Sequence, residues 1–327
     1  MSFSVPTLYS LWHELLWPLL RMLGFISLGL FVANLIESLN WTARIATLAR
    51  PLLRQGNLSD ISSASFTMAL FSGISANTML AEAYEQKKIS KTELILANLF
   101  NSLPTYFLHM PTVFFITVPM IKGAAIIYVG ITLGAAVFRT LSILVISRFI
   151  LPRAEPQEDV TPEEAQKRRD GWNIIFTKSW KRFKKRIRTI IHFTVPIYIL
   201  IFWLHQAGIF TTMETMMATY FSFLSWLSPQ SMGIITLQVA AEFTAGLAAA
   251  GAMLQAGSMT YQEIVLALLV GNILSSPIRA VRHQFPYYAG IFKPKLAAEL
   301  IFYNQIFRVG SLILMGGVYL VLSWKPS

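Results

Sequence analysis

Phe138-Arg-Thr-Leu-Ser-Ile-Leu-Val145 and Phe307-Arg-Val-Gly-Ser-Leu-Ile-Leu314 decide how this chain folds, because the same Phe-Arg-x-x-Ser pattern closes two long apolar segments. Upstream, Thr92-Glu-Leu-Ile-Leu-Ala97 matches Gln262-Glu-Ile-Val-Leu-Ala267. The punctuation between these anchors also corresponds. Asn101 to Pro104 resembles Asn272 to Pro277, Pro111 and Pro119 resemble Pro286 and Pro294, and Ile126-Ile-Tyr128 resembles Ile301-Phe-Tyr303. Hydrophobic helices resemble one another by chance, but shared Pro, Asn, Arg and Glu in one order point to duplication.

Composition sets the solvent in which the two halves fold. Of 327 residues, 54% are apolar and 13% charged, against about 25% charged in an average soluble domain. Nearly charge-free stretches of 20 or so residues recur, as in transmembrane helices. The reading is an all-α, polytopic membrane bundle, placed in the bacterial inner (plasma) membrane. Without cysteine there are no disulfides, thiolate metal sites or cysteine nucleophiles, and neither a metal nor another cofactor is implied.

Three regions follow: a first transmembrane repeat over residues 1–150, a charged loop over 151–188, and a second repeat over 189–327. The loop holds eleven of the 27 Lys and Arg and ends in Lys178-Ser-Trp-Lys-Arg-Phe-Lys-Lys-Arg-Ile-Arg188. It reads as a cytoplasmic segment facing anionic lipid headgroups, so membrane lipids rather than nucleic acid are the expected partners. The N-terminus, Met1 to Leu20, lacks the basic stretch of a cleavable signal and is expected to be retained.

Each half contains the same segments. Leu15 to Ile36 is long enough to span, and Trp41 to Arg54 suits the interface. Ser62 to Leu80 and Met232 to Leu254 are rich in small residues and are interrupted by Ser72-Gly-Ile-Ser-Ala-Asn77 and Glu242-Phe-Thr-Ala-Gly246. Leu94 to Met120 and Ile264 to Phe292 contain prolines expected to break them. Ala124 to Ile150 and Leu296 to Leu322 close the halves.

Charge bias then orients the copies. Arg44, Arg50, Arg54, Lys87, Lys88 and Lys91 lie in loops whose second-half counterparts carry no Lys or Arg, whereas Lys122 faces Lys293 and Lys295. Equivalent loops of opposite bias belong on opposite membrane faces, which predicts inverted repeats. Inversion needs an odd number of crossings per half. The small-residue segments are therefore expected to be re-entrant, turning near Gly73 and Gly246, and to meet at a shared binding site.

Ser72-Gly-Ile-Ser-Ala-Asn-Thr78 with Asn98-Leu-Phe-Asn-Ser-Leu-Pro104, and Ala241-Glu-Phe-Thr-Ala-Gly-Leu-Ala-Ala-Ala-Gly251 with Gly271-Asn-Ile-Leu-Ser-Ser-Pro-Ile-Arg-Ala-Val-Arg-His283, carry a family likeness. The chain resembles the nucleoside-recognition, or Gate domain, membrane proteins, whose gate module also occurs in ferrous-iron permeases and has been compared with concentrative nucleoside transporters. The resemblance implies two gate-like units around a transport-like pore, without fixing a nucleoside as substrate. No Gly-x-x-x-x-Gly-Lys-Ser/Thr is present, so a GTPase module is not part of the pattern.

The expected substrate-binding residues are Asn77, Asn98, Asn101 and His109 in the first half and Glu242, Asn272, Ser276, Arg279, Arg282 and His283 in the second. Glu242 sits among Ala and Gly, where a charge is either a proton or cation site or a carboxylate paired with Arg or reached by water. Arg279, Arg282 and His283 share one face if helix resumes after Pro277, and suit a phosphate, a carboxylate or a lipid headgroup. They equally fit a cytoplasmic helix end obeying the charge rule. Asn98, Asn101 and Asn272 are suited either to carbonyls freed by Pro104 and Pro277 or to a ligand. Arg139 and Arg308 are expected to snorkel or pair inside the bundle, and Glu82, Glu93 and Glu263 to be loop or helix-start acids.

Carriage of a small polar or anionic solute, nucleoside-like or an ion, is the leading functional expectation. A lipid-binding scaffold docking partners through 151–188 is the alternative. His-Glu-x-x-His and Gly-x-Ser-x-Gly are both missing, and an enzyme is not expected. Gly134, Ala135 and Ala136, or Gly316 and Gly317, would allow close helix approach, as in a homo-oligomer.

Overall fold

The computed structural model describes residues 56–152, 227–240 and 243–323 continuously, with scattered positions between 8 and 27 and between 176 and 207. The expected segment over 41–54, most of the loop over 151–188, and Glu242 lie outside the described residues. Every regular element among the described residues is helical. The first series is α1 (Asp60–Ala69), α2 (Gly73–Glu85), α3 (Lys91–Phe100), α4 (Ser102–Ile121) and α5 (Gly123–Ile150). The second is α6 (Ser231–Ala240), α7 (Phe243–Gln255), α8 (Tyr261–Arg279), a π-helical turn at Ala280–Gln284, α9 (Phe285–Phe292) and α10 (Pro294–Ser323).

Among the described residues, four stretches are long and apolar enough to cross a membrane: Lys91–Ile121, Gly123–Ile150, Tyr261–Arg279 and Pro294–Ser323. By contrast α1 and α6 have 10 residues and α2 and α7 have 13. At 1.5 Å per residue these reach only about 15 to 20 Å, well short of a hydrocarbon core about 30 Å thick.

Local chemistry fixes the boundaries. Ser59, Ser72 and Ser90 cap α1, α2 and α3 by accepting from the amides of Ser62, Ser75 and Glu93, and Thr260 with Glu263 forms a capping box on α8. Glu93 also accepts from the Ser59 amide at 3.0 Å and the Ser62 hydroxyl at 2.8 Å. Glu93 and Glu263 are thus helix-start acids, whereas Glu82 lies inside α2. Lys87 and Lys122 take left-handed backbone at the turns after α2 and α4, and Gly257 and Lys293 do so 170 and 171 residues later. Positive φ is uncommon for lysine, and Lys122 and Lys293 both take it just before a long helix, with different ψ of −126° and 150°.

Three expected breaks fall elsewhere. Pro111 and Pro119 lie inside α4, and Pro277 inside α8. The first-half break is instead at Asn101, which ends α3 and precedes α4. The first expected turn falls at Leu70–Ser72, next to Gly73, which begins α2, whereas Gly246 lies within α7. Gly246 is needed for packing. A Cβ there would lie 2.8 Å from Gln238 Cβ and 2.9 Å from the Ile234 carbonyl oxygen, so only glycine lets α7 approach α6 this closely.

The start of α1 lies beside both α3 and the end of α5. Besides the Glu93 contacts, the Asn57 amide donates to the Arg148 carbonyl at 3.1 Å. Leu58, Phe66, Leu96, Leu144 and Leu151 seal this corner. A matching cluster in the second half joins Leu227, Ile235 and Leu266 to Tyr319 and Leu320 of α10.

Packing between halves is reciprocal. α5 lies on α10, α3 touches α10 as α8 touches α5, and α2 touches α9 as α7 touches α4. The turn after α2 meets the start of α10 through ion pairs Lys91–Glu299 (2.5 Å) and Lys293–Glu85 (3.8 Å). The turn after α4 meets the start of α8, where Gly123 sits under the Tyr261 ring. Small residues serve contacts within the chain: a Cβ on Gly134 would lie 2.9 Å from Met315 Cε of α10, and one on Gly251 of α7 would lie 3.1 Å from the Met120 carbonyl. The close helix approach expected at Gly134 is made by the chain's own final helix.

Candidate functional site

Where the two series meet lies an open-sided cavity of about 800 Å³. α2 contributes Asn77, α3 Asn98, α4 Tyr106 and His109, α5 Tyr128 and Arg139, α8 Asn272 and Arg279, α9 Tyr288, and α10 Arg308. Leu108, Val113, Ala135, Ala136, Phe243 and Leu312 supply apolar wall. Such a mix of apolar surface and few convergent polar groups is what solute pockets present.

Three arginines face this space, and no Asp or Glu is among its described lining residues. Arg139, 8% exposed, donates from Nε to Ser102 Oγ at 3.0 Å. Arg279 donates from Nη2 to Asn272 Oδ1 at 2.9 Å. Arg308 lies within electrostatic reach of both other guanidiniums and makes no hydrogen bond to a described residue. Like charges gathered around one cavity repel.

Amides and phenols hold the walls in place across the two halves. Asn272 donates to Tyr128 OH at 3.0 Å, completing a chain from Arg279 through Asn272 to Tyr128, whose ring stacks on Phe243 at 5.8 Å. Asn98 donates to Asn77 Oδ1 at 2.9 Å and to Tyr288 OH at 3.3 Å. Asn101 donates to Ser65 Oγ at 2.8 Å. Tyr106 OH contacts Thr132 Oγ1 at 2.8 Å. These amides bond side chains, not the proline-freed carbonyls that the sequence offered as one alternative. Pro104 stands in the first turn of α4, where its missing N–H is of little consequence.

Of the expected residues, Asn77, Asn98, Asn101, His109, Asn272 and Arg279 are brought together around the cavity. Ser276 is not among them: it is 3% exposed and donates to Gln305 Oε1 at 2.8 Å, because α8 continues through Pro277 and carries it toward α10. The backbone of Arg282 and His283 lies in the π-helical turn, so the expected one-face spacing with Arg279 does not apply, and their side chains lie outside what is described. Glu242 also lies outside the described residues.

Sequence reasoning missed Arg139 and Arg308 as site residues, although their shared Phe-Arg-x-x-Ser pattern was the signal available. It also passed over Tyr106, Tyr128 and Tyr288. Among the described residues no three His, Asp or Glu side chains gather as metal ligands would.

No family model matches the chain. It is 27% identical over 296 residues to the uncharacterized protein MJ0871 of Methanocaldococcus jannaschii, covering 87% of this chain and 90% of that one. The uncharacterized protein MJ1556 of the same archaeon is 27% identical over 283 residues, covering 86% and 88%. No solved structure matches.

Proposed function

We propose that the chain is a multi-pass carrier or gate of the cytoplasmic membrane for a small anionic solute, bound between two inverted, gate-like halves. The observation that carries this reading is the cavity lined by Arg139, Arg279 and Arg308, from helices of both halves, with no acid among its described lining residues. Such a cavity has a strong preference for negative charge, and guanidinium suits carboxylates and phosphates through its planar fork of donors.

The inverted arrangement is supported by which turns meet. If the halves ran the same way up, the turn after α2 would lie level with the turn after α7; instead it meets the start of α10, while the turn after α4 meets the start of α8. Lys87, Lys88, Lys91, Lys293 and Lys295 then share one membrane face and Lys122 lies on the other, an imbalance that makes the first face cytoplasmic. The re-entrant reading draws support from helices too short to cross, with the start of α1 and the end of α2 both at the N-terminal end of α3. Irregular backbone at membrane depth is tolerated beside protein or a wet cavity, and the tips of such hairpins are where carriers bind their solutes.

Uptake into proteoliposomes tests this reading. A panel of labelled carboxylates and phosphates is expected to include a transported solute whose flux falls at least tenfold in Arg139→Met and Arg308→Met. If every flux is unchanged by both substitutions while a soluble partner still co-purifies through residues 151–188, the scaffold reading replaces it.

A further inference from the structure

Resting on the anion reading above, we infer that the solute is an organic dianion, with one negative charge for each half of the chain. Two of the three arginines carry this, because Arg279 is already engaged by Asn272. Arg139 and Arg308 hold equivalent places in the repeated Phe-Arg-x-x-Ser pattern, 169 residues apart. They stand on α5 and α10, which pack on one another, and both line the cavity.

Their surroundings do not balance them. Arg139 is 8% exposed, its hydrogen bond goes to the neutral Ser102 hydroxyl, and the one charge of a described residue within its electrostatic reach is Arg308. Arg308 has the phenols of Tyr106 and Tyr128 and the Arg279 guanidinium around it, and no carboxylate among the described residues. A single negative charge would offset one guanidinium and leave its equivalent in the other half without a partner, which is costly in a poorly solvated place. Two negative charges offset both. The planar fork of donors on each guanidinium suits carboxylate or phosphate oxygens.

The rest of the cavity calls for carbon. Its volume of about 800 Å³ falls in the range of pockets that hold organic ligands, and Leu108, Val113, Phe243 and Leu312 offer apolar wall that a bare sulfate or phosphate ion cannot use. The shared chemistry is a carbon body bearing two negative charges, on two carboxylates or on one phosphate monoester.

Matched probes separate this inference from the reading beneath it, because methylating one acid removes a charge and changes little else. Titration calorimetry on the purified full chain, at about pH 8 where a phosphate monoester carries close to two charges, would compare succinate with monomethyl succinate, propyl phosphate with methyl propyl phosphate, and both dianions with sulfate. Within at least one pair the dianion is expected to bind about tenfold or more tightly than its ester, since one hydrogen-bonded contact between charged groups contributes that much. The pair that shows the preference tells two carboxylates from one phosphate. Arg139→Met and Arg308→Met are each expected to bring the preferred dianion down to its ester's affinity, and Arg308→Lys, which keeps the charge, to retain a preference. Esters that bind as tightly as their dianions in both pairs, or a preference that survives both methionine substitutions, overturn the two-charge requirement and leave the anion reading standing. Sulfate binding as tightly as the preferred dianion overturns the need for a carbon body. No binding by any probe overturns both readings. The wild-type comparison decides even where a methionine variant does not fold.

Discussion

Replacing Asn272 by leucine removes the one side chain that bonds an arginine of the cavity and a tyrosine of the other half at once. Asn272 is 7% exposed and Tyr128 2%, so neither lost bond is replaced by bulk water. The Arg279–Asn272 bond at 2.9 Å involves a charged donor, a class that contributes about 1.5–3 kcal/mol, and the neutral Asn272–Tyr128 bond at 3.0 Å contributes about 1 kcal/mol. Leucine has nearly the volume of asparagine, so the expected loss is about 3 kcal/mol with little packing change. For a chain of this length that is roughly 4 °C in thermal unfolding. Tyr128→Phe alone is expected to lose about 1 kcal/mol, and the double variant about 3 kcal/mol, because the shared bond is counted in both single changes. Asn272→Asp separates stability from function: it keeps an acceptor for Arg279 and so stays near wild-type stability, but it adds negative charge to the cavity and weakens anion binding. Thermal unfolding in one detergent, with intrinsic fluorescence as the readout, measures all four proteins. Strict additivity of the two single variants, or an Asn272→Leu shift below about 1 °C, would show that the Arg279–Asn272–Tyr128 chain does not join the halves.

Three further outcomes follow. Cysteines introduced at Ser90 and Met259, in a protein with no native cysteine, are expected to react with impermeant reagents from opposite faces of oriented vesicles; labelling from one face refutes the inverted arrangement. Gly246→Ala is expected to destabilise by about 1–3 kcal/mol, since its Cβ would meet the Ile234 carbonyl at 2.9 Å and the backbone cannot yield cheaply; wild-type thermal stability would contradict the close approach of α6 and α7. Gly271→Ala meets the end of the Gln238 side chain, so Gln238→Ala should rescue Gly271→Ala but not Gly246→Ala, whose obstruction includes backbone.

Periodicity and punctuation made much of the fold legible. The Glu-x-x-Leu-Ala and Phe-Arg-x-x-Ser anchors fall in α3 and α8 and in α5 and α10, at matching places in the two series. Boundaries read from glycine and proline were less secure. Gly246 looked like a turn but is a packing residue, and Pro277 looked like a break but is carried inside α8. Both residue types serve backbone irregularity and close approach alike, and only the neighbouring helix decides between them. Ser276 was drawn into the expected site for the same reason. Arg139 and Arg308 were legible as expensive residues and not as wall residues, because a one-dimensional pattern cannot say which side of a helix meets a cavity.

Those two arginines also argue against a purely structural site. A bundle stabilised for its own sake would leave such positions apolar or pair each guanidinium with a carboxylate, since a buried charge without a partner costs several kcal/mol. Among the described lining residues the cavity does neither, at two equivalent positions 169 residues apart. Arg139 comes from one half and Arg308 from the other, so any motion of the halves about their interface changes the distance between two like charges. A bound anion lowers the energy of the arrangement in which both arginines reach it. Once it leaves, repulsion favours their separation. On the proposed reading, the charges that would select the solute would also make the relative placing of the two arginines depend on its presence.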